Sequence, residues 1–155
     1  MTLLPFFTWC EHTAIGEAIR NSVWLFPIIE VFHLLALGVL GGAVLLVDLR
    51  LLNLGLTSVP VSRVADAARP WMTRSLAVIV VSGVLLFLSE ALKCYENPAF
   101  WAKMTLLLLA LGVAYLVRPR WTSTAEPAAG ARLVALVSLT LWLGVGIAGR
   151  GIGFY

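Results

Sequence analysis

The sequence is poor in charged residues. Of its 155 residues only 12% are Asp, Glu, Lys or Arg, whereas 61% are hydrophobic, and the mean hydropathy is +0.97. Soluble domains carry about 25% charged residues, so a water-soluble fold of this length could not cover so much apolar surface. The low charge therefore excludes an ordinary soluble domain and indicates a lipid bilayer as the surroundings of the chain.

The sequence also lacks a basic patch. The net charge is +3 and the pI is about 9.2, but the basic residues flank apolar runs instead of clustering. Nucleic acid is therefore excluded as a partner, because its binding requires a basic patch or stripe. The N-terminal residues lack the basic segment and cleavage site of a removable signal peptide. The first span is therefore expected to act as an uncleaved membrane signal.

Metal ligands are scarce as well, with two His, two Cys and three Met in the whole chain. A structural zinc site needs three or four Cys, His or carboxylate ligands. A di-iron bundle needs two Glu-x-x-His pairs, and the chain has one, formed by Glu30 and His33. Neither site is expected, and the scattered Met residues give only a weak copper signal.

Four apolar runs are long enough to span a bilayer, at residues 24–47, 75–92, 100–117 and 132–150. A transmembrane helix needs about 20 predominantly apolar residues, and no alternating strand pattern competes with this interpretation. The Asn97-Pro98 pair predicts the N-cap and first residue of the third helix, and Pro127 predicts the start of the fourth. The predicted fold is all-α, a four-helix transmembrane bundle forming a single membrane domain over residues 1–155.

A short amphipathic helix is predicted before the first span, at residues 8–22. Thr8 and Glu11 match a capping box, which would begin this helix. Its apolar side is expected to lie along the outer membrane interface.

The distribution of Lys and Arg predicts the topology. The 49–74 and 118–132 connections hold seven Arg residues, whereas the opposite side holds Arg20, Lys93, Lys103 and Arg150. Cytoplasmic loops are enriched in basic residues. Both connections are therefore predicted to be cytoplasmic, and both termini periplasmic, in a bacterial inner membrane.

The candidate site is centred on His33, the only histidine in a span. It lies about 14 Å below Trp24 at a rise of about 1.5 Å per residue, and ionisable residues at such depth often mark functional sites. Glu30 shares its face, while Lys103 and Arg150 lie in the outer ends of the third and fourth spans. His33 binds a ligand or handles protons in one interpretation, and is a neutral core histidine in the other.

Haem b is the cofactor that this pattern favours. It requires an axial imidazole, room for the macrocycle and cations for the propionates. His33 would be the iron ligand, Glu30 a supporting or proton-handling group, and Lys103 and Arg150 the propionate partners, with room left by Gly38 and Gly41. The spans hold no second histidine, so another group or five-coordinate iron is required. The competing interpretations are snorkelling for Arg150 and close helix packing for the Gly38-x-x-x-Gly42 pattern.

Three further features carry structural expectations. Cys10 and Cys94 both lie on the predicted outer side, where a disulfide is permitted, although two unpaired thiols are the alternative. Asp48, at the end of the first span, is expected to form a salt bridge with Arg69 or Arg74. The glycines around Arg150 suggest a subunit interface.

These motifs resemble a family of small bacterial inner-membrane proteins. The resemblance rests on Trp24 to Pro27 with Glu30 and His33, on the segment 48–52, on Asn97 to Phe100 with Lys103, and on Ala148 to Arg150. More distantly, the layout is similar to copper-resistance D-type membrane domains and to four-helix membrane protoporphyrinogen oxidases. The matching positions are His33, Arg50 and Lys103, and the likeness implies haem or tetrapyrrole binding near His33.

The function predicted from sequence is a haem b-binding membrane subunit for electron transfer or quinone-linked redox chemistry. The first alternative is a non-catalytic anchor or assembly subunit of a larger membrane complex. The second is a small transporter or copper-handling protein. The expected partners are the lipid bilayer, a homo-oligomer or larger membrane complex, and a quinone.

Overall fold

The computed structural model describes residues 3–123, 126–127 and 130–154, and the described residues form helices and short connections without strands. In chain order the helices are α1 (Leu4–Glu11), α2 (Ala14–Asn21), α3 (Leu25–Leu51), α4 (Val61–Ser89), α5 (Ala91–Glu96), α6 (Pro98–Gly112), α7 (Pro119–Thr122) and α8 (Ala131–Gly151). A π-helical segment, Val113–Val117, continues α6, and a 3₁₀ turn, Ile152–Phe154, continues α8.

Four helices are long and apolar enough to cross a membrane, namely Leu25–Leu51, Val61–Ser89, Pro98–Val117 and Ala131–Phe154. The predicted all-α fold with four spans is therefore confirmed. Helix α3 packs mainly on α4, and α6 packs mainly on α8. We call the end with the α3–α4 connection the connection end, and the end with α1, α2 and α5 the cap end.

The second span differs from the predicted 75–92. Helix α4 begins at Val61, directly after Pro60, and continues through Pro70 without a break. A proline inside a helix removes one backbone donor, but packing along the length of α3 keeps α4 continuous. The α3–α4 connection is therefore short, and Asn53 (φ 61°) and Leu56 (φ 52°) adopt left-handed conformations within it.

The predicted amphipathic helix at residues 8–22 is two helices. Thr13 ends the continuity, because its hydroxyl oxygen accepts the Gly16 N–H at 3.2 Å and so caps α2. The Thr8 hydroxyl instead donates to the Leu4 carbonyl within α1, at 2.9 Å, so the predicted capping box is wrong. Glu11 accepts the Leu92 N–H at 2.6 Å and thereby ties α1 to the first turn of α5.

The start of the third span is confirmed. The Asn97 side chain accepts the Ala99 N–H at 2.9 Å, with Pro98 as the first helical residue. The amide nitrogen of Asn97 also donates to the Ile152 carbonyl at 3.2 Å, which joins α6 to the end of α8. The fourth span begins at Ala131 instead of the predicted Pro127.

The core has two parts. The larger cluster lies towards the connection end and includes the almost inaccessible side chains of Leu40, Val44, Val47, Leu51 and Val61. The smaller cluster lies at the cap end and contains Phe7, Cys10, Ala91 and Cys94. The candidate histidine lies on α3 between these clusters.

Candidate functional site

His33 is half-buried, and its imidazole contacts α4. The ring nitrogen Nδ1 lies 2.8 Å from the Ser82 hydroxyl oxygen. That hydroxyl donates to the Val78 carbonyl at 2.6 Å, so its oxygen accepts the proton on Nδ1. In this tautomer Nε2 carries a free lone pair, and it is the atom available to a ligand or a proton.

Gly83 makes room for the imidazole. A Cβ atom at this position would lie 3.3 Å from Cε1 of His33 and 3.8 Å from Nδ1. Contacts of 3.3 Å are tighter than the ring could accept without a shift, so an alanine here would displace it. The serine at 82 and the glycine at 83 together fix the position of His33 against α4.

Lys103 is the candidate cation of the third span, and it lies on α6. Its side chain is half-buried and lies against α8, where a Cβ at Gly149 would be 3.6 Å from Cε and 3.7 Å from Nζ. Within the described part of the chain, the ammonium has no hydrogen bond or ion pair. That this cation serves the same site as His33 stays a prediction.

The other predicted site residues face outward. Glu30 is exposed one turn from His33, and Gly38 and Gly41 are exposed with nothing within 4 Å of a built Cβ. Arg150 is exposed too, and its guanidinium carbon lies 4.6 Å from the centre of the Phe154 ring. This cation–π contact places the Arg150 guanidinium beside the end of α8.

Within the described residues, no three His, Cys, Asp or Glu side chains lie close enough together to hold a metal ion. Any metal at His33 would therefore need ligands from outside these side chains. A porphyrin supplies four nitrogens of its own, so a single protein imidazole suits a haem iron.

A second polar cluster lies at the connection end, where the sequence predicted a salt bridge of Asp48 but not its partner. Asp48 and Arg118 form an ion pair with an oxygen–nitrogen distance of 2.9 Å, and both side chains are almost completely buried. Arg118 also donates to the Ser138 hydroxyl at 2.6 Å. The expected partners of Asp48, Arg69 and Arg74, are wrong because both are exposed on α4.

The π-helical segment turns Arg118 towards Asp48. The Arg118 N–H donates to the Val113 carbonyl at 2.8 Å, which is an i to i+5 bond. Such a wide turn changes the face on which the following residue lies, and single π turns are frequent at functional sites. The only sequence signal for this pair was an arginine followed by Pro119 at the end of a span.

Arg50 is also fully buried, and its side chain donates hydrogen bonds to residues of the α3–α4 connection. Its Nε donates to the Val59 carbonyl at 2.7 Å, and its guanidinium also bonds the Asn53 side-chain oxygen at 3.3 Å. A further ion pair reaches Glu126 at 3.4 Å. Arg50 is thus engaged in holding the connection and lies far along α3 from His33.

The two cysteines are free thiols, and both are buried in the cap-end cluster. Burial raises the pKa of the Cys10 thiol. Burial is also the main cause that raises the pKa of Cys94, to about 11, with a smaller contribution from Glu90. The structure therefore favours the unpaired-thiol alternative.

Three glycines of the fourth span pack within the chain. A Cβ at Gly144 would lie 3.1 Å from Leu106, and one at Gly151 would lie 3.3 Å from Ala99. Gly149 lies against Lys103 as described above. Contacts with α6 therefore account for these three glycines without a partner subunit.

Four apolar spanning helices with interior polar residues define the chain as a multi-pass helical membrane protein. It belongs to the family of unknown function DUF6644, whose model matches residues 6–155. No curated protein and no solved structure shows significant similarity to the chain.

Proposed function

We propose that the chain is a haem b-binding subunit of a bacterial inner membrane, with His33 Nε2 as an axial iron ligand. The observation that carries the proposal is the hydrogen bond from His33 Nδ1 to Ser82 at 2.8 Å. Histidines that bind metals usually donate their other ring N–H to a fixed acceptor, which sets the tautomer and the ring orientation. Ser82 performs this role for His33.

Lys103 supports the same proposal. An unpaired cation inside a membrane is costly and is retained where it has a function. The Lys103 ammonium is half-buried, and it forms no ion pair with any residue that the structure describes. We infer that it neutralises an anionic group of the ligand, such as a propionate.

The outward-facing residues refine this proposal. Gly38 and Gly41 face open space on the outer surface of α3, and their place beside the cofactor stays a prediction. Arg150 contacts Phe154 through the face of its guanidinium, and we keep it beside Lys103 as a proposed partner of the propionates. Arg50 lends no support to the distant likeness to protoporphyrinogen oxidases, since its guanidinium is occupied at the connection end.

Bound haem b would supply one-electron transfer, and a membrane quinone is the redox partner that we propose. The chain itself would fix the imidazole through Ser82, hold a positive charge through Lys103, and exclude water with the surrounding apolar helices. The proposal includes periplasmic termini, so that His33 lies in the outer half of the bilayer.

An absorbance spectrum of the protein purified in detergent from haem-supplied cells tests this proposal. An intense Soret band is expected in the wild type and in His12→Ala, and it should be lost in His33→Ala. His12 is a matched control, because it is the other histidine of the chain. Its side chain is exposed, and its ring nitrogen Nδ1 lies 2.8 Å from the Thr8 carbonyl oxygen. Ser82→Ala should shift or weaken the band. A colourless wild-type protein would overturn the haem proposal.

The second candidate is a non-catalytic subunit of a larger membrane complex. It is favoured by the third span, which packs little against the other helices. Only 11% of the most apolar 18-residue stretch of this span is buried within the chain. Trp101, Met104, Leu108 and Leu116 remain exposed on this span. If the protein is colourless, we expect it to migrate with other membrane proteins on blue native electrophoresis.

A further inference from the structure

A long groove lies between α3 and α4 on their outward face. Its volume is about 600 Å³, and it extends towards the connection end. The floor consists of small residues, including Gly38, Gly42 and Ala68, and the wall includes Trp71. A Cβ at either glycine would meet nothing within 4 Å, so the absent side chains create the open space.

The groove has the dimensions of one membrane leaflet. Its α3 side extends from Gly38 to Leu46, which at about 1.5 Å per residue is roughly 12 Å. Half of a bilayer core is about 15 Å thick. The groove can therefore hold a large part of one acyl chain along the direction of the membrane normal.

Arg63 lies at the connection end of this groove, and among the described residues that line the groove it is the one with a charge. It is exposed, and within the described residues its guanidinium has no ion pair or hydrogen bond. The neighbouring lining residues, Leu56 and Val59, belong to the α3–α4 connection. A single unpaired arginine thus stands where an apolar groove reaches the membrane surface.

We propose that this groove binds one anionic phospholipid, with an acyl chain over Gly38 and Gly42 and the headgroup phosphate on Arg63. Guanidinium groups bind phosphate through two parallel charge-assisted hydrogen bonds. Basic sites between transmembrane helices at the membrane surface recognise anionic headgroups in this way. The proposal does not depend on haem binding at His33.

Charge argues for a lipid over a second copy of the chain. The Gly38-x-x-x-Gly42 pattern could pack against a helix. However, a two-fold dimer through this face would place the same patch of both subunits in contact. The two Arg63 side chains would then lie at the same depth without an anion between them. An anionic lipid instead supplies the missing negative charge.

Native mass spectrometry of the detergent-purified protein tests the proposal with phosphatidylglycerol and phosphatidylcholine of identical acyl chains. Arg63→Gln should remove the preference for the anionic lipid, and Gly42→Leu should weaken binding of both lipids, each by about fivefold or more. Two matched controls, Arg69→Gln and Gly41→Leu, change exposed residues of the same helices outside the groove. Both controls should bind as the wild type does.

Several outcomes would overturn the proposal. Equal binding of the two lipids by the wild type would show that Arg63 does not recognise the headgroup. Loss of a dimer in Gly42→Leu would show that a second copy of the chain occupies the groove. Binding of glycerol 3-phosphate as tight as that of phosphatidylglycerol would indicate a phosphate site without an acyl chain. Arg63→Gln changes an exposed residue, so it remains informative if circular dichroism shows that Gly42→Leu does not fold.

Discussion

At the scale of single residues, the ion pairs of this protein differ chiefly in burial. Asp48 and Arg118 are almost inaccessible at 2.9 Å, whereas Lys93 and Glu90 are both more than 40% exposed at 3.9 Å. A buried pair becomes costly when one partner is removed, because the other charge remains without compensation. An exposed pair is screened by water and contributes little.

We therefore expect Asp48→Ala to lower the free energy of unfolding by about 3–5 kcal/mol, as for other broken buried pairs. Thermal unfolding in detergent would measure this loss. Glu90→Gln is the matched control and should change stability by less than about 1 kcal/mol. Adding Arg118→Met to Asp48→Ala should restore part of the loss, and equal effects of Asp48→Ala and Glu90→Gln would contradict the assignment.

A second residue-scale prediction concerns Cys94. Because burial raises the pKa of this thiol from 9.0 to about 11, the reactive thiolate is scarce at pH 8. The folded state keeps the proton above the pH at which an unfolded thiol loses it. Stability is therefore expected to fall as the pH rises from about 9 to about 11.

Maleimide labelling of a Cys10→Ala variant would check this reactivity. Cys94 should label slowly at pH 8 and faster at pH 10.5, and it should label fully in denaturing detergent. Glu96→Cys, placed in a protein without the native thiols, is the control, because position 96 is exposed on the same short helix. Equal labelling rates at the two positions at pH 8 would show that Cys94 is not buried.

The polar residues of the spans differ in how far their surroundings could be predicted from the sequence. The position of His33 well inside the first span could be predicted, since it follows from helical rise and from the predicted start of that span. The partner of Asp48 could not. Several arginines lay at the same membrane depth, and the choice of Arg118 depends on the π turn and on how α6 packs.

At the scale of helices, Asn97 is the best-defined terminus. It is almost fully buried, caps α6 through the Ala99 N–H, and reaches the Ile152 carbonyl. Replacing a capping asparagine by alanine costs about 0.5–2 kcal/mol. We expect Asn97→Ala to reach the upper part of this range, because the contact with the end of α8 is lost as well.

Thermal unfolding would again be the measurement, with Thr8→Ala as the control. The Thr8 hydroxyl bonds within its own helix and caps nothing, so its removal should change stability by less than about 0.5 kcal/mol. A larger effect of Thr8→Ala than of Asn97→Ala would contradict the assignment of the two capping positions.

The start of a helix could be predicted from the sequence where a single capping residue marked it. Asn97 and Pro98 form such a signal, and the third span begins there. In the N-terminal region the sequence pointed to Thr8, whereas Thr13 caps α2 because its hydroxyl accepts the Gly16 N–H. The apolar run predicted that the second span starts at residue 75, whereas α4 begins at Val61 and packs along α3.

At the scale of the whole molecule, four spans within the described residues place residues 3 and 154 on the same side of the membrane. The bias of seven arginines on the two connections predicts that this side is periplasmic. Alkaline phosphatase fused after residue 155 should therefore be active, while the same enzyme inserted in the 52–60 connection should be inactive. The reverse pattern would invert the topology and move His33 to the inner half of the bilayer.

The overall architecture could be predicted from the sequence because a bilayer limits the possible structures. Four apolar runs in a chain of this length leave a helical bundle as the solution. Pairing of the helices was beyond reach, since apolar residues cover most faces of every span and give no periodicity that selects a neighbour. The placement of Gly38 and Gly41 on the lipid-facing surface follows from that pairing.

The ion pair between Asp48 and Arg118 constrains how the protein is made. During synthesis the first two spans enter the membrane before the third, so the carboxylate of Asp48 arrives long before its partner. A hairpin of α3 and α4 alone would hold an uncompensated acid near the bilayer surface. We therefore expect chains truncated before Arg118 to be degraded by membrane quality control, and the arrival of the third span to be the step that commits the protein to its native assembly.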